Sequence, residues 1–253
     1  MSAIFNTLLY QPIFQALAFV YNNIAFQDLG FSIIVFTILI RLVLFPLFYK
    51  QIKSQTEMQK VQPMVKEIQE RCKNDKAKQG EELMALYKEH KINPLAGIGV
   101  LLIQLPILIA IYRVIINEVS NGFFDNTTFL GFIDLGEVSI ILAVIAAALQ
   151  YFQVKLSLPK QSKEGKKDDK TAMMGKMMTY IAPGITLVFL SQLPAALGFY
   201  WTTSTVFGIG QQIFINKKMK KKDEEKTDIS NTQNDANKQM NTNDANKDKG
   251  VSS

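Results

Sequence analysis

The sequence predicts an all-α, polytopic membrane protein, a five-transmembrane-helix core around a hydrophilic groove with a helical hairpin on the cytoplasmic side. Three observations carry that prediction. The 253 residues are 48% hydrophobic, and the apolar ones gather in long tracts at 31–49, 95–116, 138–158 and 177–215. About 20 residues cross the hydrocarbon core, so the last tract holds two crossings, 177–193 and 195–215, turned at Leu193-Pro194. Finally, the basic residues alternate between the two sides. Lys and Arg are absent from 1–40 and 117–137, abundant in 50–92 and 155–176, and dense in "KKMKKK" at 217–222. Basic loops stay cytoplasmic, which predicts a bacterial plasma-membrane protein with its N-terminus outside and its C-terminus inside.

Each element follows from a local pattern. In residues 1–28, Ile13, Phe14, Leu17, Val20, Tyr21 and Ile24 recur at helical spacing opposite Gln11, Gln15 and Asn22, which predicts an amphipathic helix in the outer interface. A sixth span is the alternative. No basic n-region or small-residue cleavage site marks a signal peptide. The core is expected over 29–217. Within the cytoplasmic insertion 50–92, Met58, Val61, Val65, Ile68 and Cys72 keep a 3-4-3-4 spacing, one apolar seam of a helix, and Leu83, Leu86 and Tyr87 offer a matching stripe. A polar break between them predicts an antiparallel hairpin, kinked at Pro63, that is either a spacer or a docking element. A cytoplasmic loop over 159–176 leads to "MMGKMM", packing filler or a pliable apolar surface. The tail, 218–253, has almost no apolar residues and is expected to be disordered. Its basic start, with Lys217, Lys218 and Lys220, is a topology signal or a contact for anionic lipid or RNA phosphate.

Catalytic classes find no support. A single Cys72 and a single His90 cannot form a zinc cluster, and no GxSxG elbow, Walker loop or HExxH occurs. No catalytic residue, metal or cofactor is expected.

One residue stands out. Arg41, in "TILIRLVLFP", lies roughly 13–15 Å from either end of a span read as straight, where a charge costs about 2.5–3.5 kcal/mol on insertion scales. The other spans contain no Asp or Glu to neutralise it, and Glu118 is too shallow. Three readings follow: Arg41 bonds to carbonyls and amides of its own fold, or lines an anion path, or lines a wet groove receiving polar or acidic parts of a passing polypeptide. Gln104, Gln150, Gln153 and the run Trp201, Thr202, Thr203, Ser204, Thr205 add to a polar interior. The functional alternatives are therefore a small anion or solute transporter, a structural membrane assembly factor, or a protein that handles polypeptides.

Four stretches resemble the YidC/Oxa/Alb insertases: "ILIRLVLFPL", "VQPMVKEIQERC", "NPLAGIGVLLIQLPILIAIY" and "LGFYWTTSTVFGIGQQIFI". They occur in family order over about residues 10–217, in the short form without a large extracytoplasmic domain. The resemblance implies a groove closed outside and open to cytoplasm and lipid, in which Arg41 attracts acidic residues of a substrate's leading segment. It implies substrate sliding along 95–116 and 177–193 and a hairpin that meets substrate or the targeting apparatus. The implied partners are nascent membrane proteins, the lipid bilayer, the Sec translocon and the ribosome with the signal recognition particle system; DNA is not among them. The expected site is Arg41, Gln104, Gln150, Gln153, Trp201 and Thr202, with Lys217, Lys218 and Lys220 as partner contacts.

Overall fold

A computed structural model describes residues 3–93, 96–124, 126–158 and 170–247, with the side chains of 96–103, 170–176, 178, 223 and 226–247 left undescribed. The loop expected over 159–176 lies outside the described residues except for its helical end, and so do the side chains of Met173, Met174 and Met178. In order, α1 (Ala3–Phe5) passes through a π-helical stretch (Asn6–Tyr10) into α2 (Gln11–Asn23). Then come α3 (Leu29–Val43), α4 (Phe45–Arg71), α5 (Lys76–Glu89) and α6 (Ala96–Ser120). A small hairpin, β1 (Thr128–Phe129) and β2 (Ile133–Asp134), precedes α7 (Ile140–Ser157), α8 (Lys170–Leu190) and α9 (Ala195–Lys247). The chain divides into two compact units, residues 1–212 and 213–253.

The first unit has an apolar core with several polar side chains buried beside it, and it leaves large apolar faces exposed. Ser32, Thr37, Thr186, Ser204, Thr205, Gln211 and Gln212 are buried, whereas Val43 is 76% exposed, Ile141 74%, Ile185 63% and Val188 60%. Thr37 and Thr186 return their hydroxyls to the carbonyls of Ile33 and Ala182, the usual solution for a hydroxyl inside a helix. Exposed apolar faces of this extent mark contact with lipid. The Ala3–Asn23 helix and α7 are each long and apolar enough to cross a membrane, and α3 with α4 passes the same test as one bent span.

That bend departs from the straight span expected at 31–49. The axis turns by 68° between α3 and α4. Pro46 causes it: it has no N–H to donate, and its ring collides with the carbonyl four residues back. The helix therefore stops at Leu44, whose N–H reaches Ile40, and restarts with Pro46 in the first turn of α4, where a missing N–H is harmless.

Of the predicted stripe the N-terminal helix buries Ile13, Leu17, Val20 and Tyr21 and half-buries Phe14, but Ile24, just past its end, is exposed, as are Gln11, Gln15 and Asn22. Its Tyr10 hydroxyl donates to Glu118 Oε1 at 2.6 Å and accepts from Asn117 Nδ2 at 3.3 Å. Glu118 is thus engaged at the end of α6, away from Arg41. The β-hairpin seals the same end. Phe129 lies edge-on to Phe199 and Phe31, with ring centroids 4.7 and 5.3 Å apart. It presses onto α3 at Gly30, where a Cβ would stand 2.2 Å from Phe129 Cδ2; only glycine fits. The carbonyls of Glu137 and Leu135 accept from Ala195 and Ala196 at 2.7 and 3.0 Å, satisfying two of the orphan donors at the start of α9.

At the opposite end, α4 and α5 form the predicted hairpin. Val61, Val65, Ile68, Leu86 and Ile92 are buried together, with Met58, Leu83 and Tyr87 packed against them. Asp75 caps α5 by accepting from the Lys78 N–H at 3.0 Å, and the Arg71 guanidinium bonds Glu82 across the turn. That bond, with the neighbouring charge, holds the Glu82 carboxyl below its ordinary range. Pro63 sits within α4 without ending it.

In the second unit α9 continues as helix through Lys247, within the tail expected over 218–253. Residues 217–247 contain neither proline nor glycine, the strongest helix breakers, although their Asn, Asp and Thr residues are weak helix formers.

Candidate functional site

The site grows from the bend. Stopping α3 at Leu44 places Arg41 in the last helical turn, where the unpaired carbonyls carry a partial negative charge worth about 0.3–1 kcal/mol to a cation. The bend supplies part of the neutralisation that no carboxylate provides. The guanidinium stacks over the Phe48 ring, 4.4 Å from its centroid, so the last turn of α3 and the first turn of α4 meet on this one side chain. Its Nε donates to Ser204 Oγ at 2.9 Å, and Nη2 donates to the same oxygen. Among the described residues no carboxylate pairs with it. A guanidinium carries five N–H donors; two converge on Ser204.

Around it α3, the start of α4, α6 and α9 form a cleft lined by Thr37, Ile40, Leu44, Phe48, Gln104, Ile107, Tyr200 and Ser204, enclosing about 200 Å³ of space that is partly open to the outside. The walls approach closely enough that no water-sized sphere fits at its centre. Gln104 Nε2 donates to the Tyr200 hydroxyl at 2.7 Å, and Tyr200 lies one helical turn from Ser204. A polar chain therefore crosses from α6 through α9 to Arg41. Gly208, the next turn of α9, is packed against the same group: an added Cβ would stand 2.6 Å from Gln153 Nε2 and 3.8 Å from Arg41 Nη1. Glycine here lets the Gln153 amide and the guanidinium share one face of α9.

The structure thus brings together Arg41, Gln104 and, beside Gly208, Gln153. It does not bring the others into the cleft. Trp201 turns to Phe189, with ring centroids 6.5 Å apart, and Gln150 is half-buried on α7 outside the lining residues. The Thr202 hydroxyl oxygen is enclosed with no hydrogen-bond partner among the described residues. Lys217, Lys218 and Lys220 lie in the second unit with exposed side chains, Lys220 within 3.7 Å of Glu224. The sequence reading did not single out Tyr200, Phe48, Thr37 or Gly208. The helical spacing of Tyr200, Ser204 and Gly208 was the available signal. Among the described residues no cluster of His, Cys, Asp and Glu could hold a metal ion.

A sequence model of the 60Kd inner membrane protein family matches residues 19–223. The chain belongs to that family. Its relatives include a membrane protein insertase YidC of Fusobacterium nucleatum, 37% identical over 214 residues that cover 83% of this chain and 98% of the relative. Others of the same name come from Syntrophus aciditrophicus, 35% identical over 83% of this chain, and Wolinella succinogenes, 33% identical over 86%. The chain spans only 36% and 39% of the length of those last two proteins. For a member of this family, the apolar exterior and the polar interior around Arg41 are those of a helical membrane protein.

Proposed function

We propose that this protein is a membrane protein insertase and chaperone, moving hydrophobic segments of nascent proteins from the cytoplasm into the bilayer. In this reading five helices cross the membrane: α3 with the start of α4, α6, α7, α8 and the first part of α9. The N-terminus is outside, with α2 in the outer interface, and the C-terminus is cytoplasmic; the alternation of basic segments supports that orientation.

One observation carries the proposal: Arg41 is held by a serine hydroxyl, an aromatic face and a helix end, with no carboxylate partner among the described residues. A cation supported by neutral groups remains available to an acid that arrives later. The cleft widens and hydrates as it accepts a leading segment, and Arg41 draws in that segment's acidic residues. The hairpin packed against α9 keeps the outer end closed, so the polar segment enters from the cytoplasmic side. The hydrophobic segment then leaves into lipid, which stabilises it by about 0.8 kcal/mol per buried CH₂. The process runs downhill with no covalent step, nucleotide or cofactor. The α4–α5 hairpin and the basic stretch with Lys217, Lys218 and Lys220 suit contacts with the targeting apparatus, the ribosome and the Sec translocon. Gln150, Gln153, Trp201 and Thr202 border the substrate path as it opens.

Photo-crosslinkers at positions 40 and 104, which line the cleft, test this against position 144, where Val144 faces outward. A stalled nascent membrane protein is expected to crosslink from 40 and 104 through its leading segment. Crosslinks from 144 alone, or saturable anion flux through reconstituted vesicles without insertion, would refute the reading.

A further inference from the structure

Gln211 has no role in the cleft as described. It is 6% exposed, and both its amide oxygen and its amide nitrogen are enclosed without a hydrogen-bond partner among the described residues. Its neighbour Gln212, 3% exposed, is half anchored: its Oε1 accepts from the Ser157 hydroxyl at 3.0 Å, while its Nε2 has no partner among the described residues. Leaving a buried amide wholly unpaired is unfavourable, and an apolar side chain of the same shape avoids the loss. Stability alone therefore does not explain a glutamine here.

Its position suggests what does. Ser204, Gly208 and Gln211 follow at steps of four and three, so they share one face of α9. Ser204 holds Arg41, and Gly208 abuts both Gln153 and the guanidinium. Gln211 continues that face toward the cytoplasmic end, about 10 Å along the axis from Ser204. An extended chain covers that distance in about three residues. A primary amide offers donors and an acceptor, the same complement as a peptide group.

We propose that Gln211 is a second recognition point for the incoming polypeptide, binding its extended backbone about three residues behind the acid held by Arg41. This rests on the insertase reading and names what that site recognises: Arg41 selects charge, while Gln211 accepts any sequence through its peptide groups. Such a pair grips varied leading segments without demanding a common side chain.

The test uses the full-length protein in proteoliposomes and a single-span substrate with an acidic leading segment, beside a neutral-segment version. Gln211→Leu is expected to slow insertion about tenfold for both substrates while unfolding at no lower temperature than wild type. A proline in the substrate three residues behind the acid removes one backbone N–H. It is expected to slow wild type markedly and add nothing further in Gln211→Leu. Wild-type insertion by Gln211→Leu overturns the proposal, as does a proline effect equal in both proteins. A lowered unfolding temperature in Gln211→Leu, with insertion and stability both restored by Gln211→Met, shows a packing residue and overturns it as well. Arg41→Ala measured alongside separates the two claims: selective loss of the acidic substrate there, with normal insertion by Gln211→Leu, removes this inference and leaves the insertase reading standing.

Discussion

Ser204→Ala is the most informative single change in the cleft. Ser204 is 4% exposed, and its Oγ accepts from both Nε and Nη2 of Arg41. A hydrogen bond to a charged group contributes about 1.5–3 kcal/mol. Because both donors share one oxygen, they count as a single site, and the loss is about 2 kcal/mol. The stability of the variant alone does not isolate this pair, so a double-mutant cycle with Arg41→Met is needed, methionine retaining the stem against Phe48. The coupling is expected at about 2 kcal/mol. Unfolding is followed by the fluorescence of Trp201, the single tryptophan, three positions from Ser204. Two losses that add within about 0.5 kcal/mol would mean that the serine does not hold the guanidinium, and the description of the site would fail. Insertion of acidic segments by Ser204→Ala is expected to persist, since the cation itself remains.

Three further outcomes follow from the packing. Gly30→Ala drives a methyl group into Phe129, which is wedged between Phe31 and Phe199; overpacking of about 1–3 kcal/mol is expected as a lower unfolding temperature. Leu86→Ala removes a buried side chain from the hairpin seam, weakening it by about 2–5 kcal/mol and accelerating thiol labelling of the buried Cys72. Because Arg71 depresses the Glu82 carboxyl, that carboxylate's contribution is complete above the ordinary glutamate pKa and fades as pH falls through the lower folded value. The unfolding temperature is therefore expected to fall as the solution is acidified through that range, and Glu82→Gln to lose that part of the pH dependence; an unchanged profile in Glu82→Gln would assign the effect elsewhere.

What the sequence made legible was local. The seam of Met58, Val61, Val65 and Ile68 and its partner stripe at Leu83, Leu86 and Tyr87 are periodic, and they pack together as the spacing requires. Arg41 could be singled out because a charge in an apolar run has few innocent explanations. Its surroundings could not be read, since Ser204 lies 163 positions away and no pattern pairs a serine with a distant arginine. Trp201 and Thr202 are not among the residues lining the cleft; which members of the run "WTTST" face it is a question of helix rotation that the sequence leaves open. The bend at Leu44 was readable in principle from Pro46, but the unbroken hydrophobic tract concealed it; that oversight hid the helix end that supports the guanidinium.

The central claim is that Arg41 is a charge kept for a visitor. Insertion by Arg41→Ala and Arg41→Lys, measured in proteoliposomes as the protease-protected fraction of substrates with acidic or neutral leading segments, tests it most directly. Alanine is expected to lose the acidic substrate at least about tenfold, roughly 1.4 kcal/mol, and to spare the neutral one, while lysine retains most activity on both. Equal insertion of acidic substrate by Arg41→Ala and wild type, or equal loss of both substrates in both variants, would contradict it.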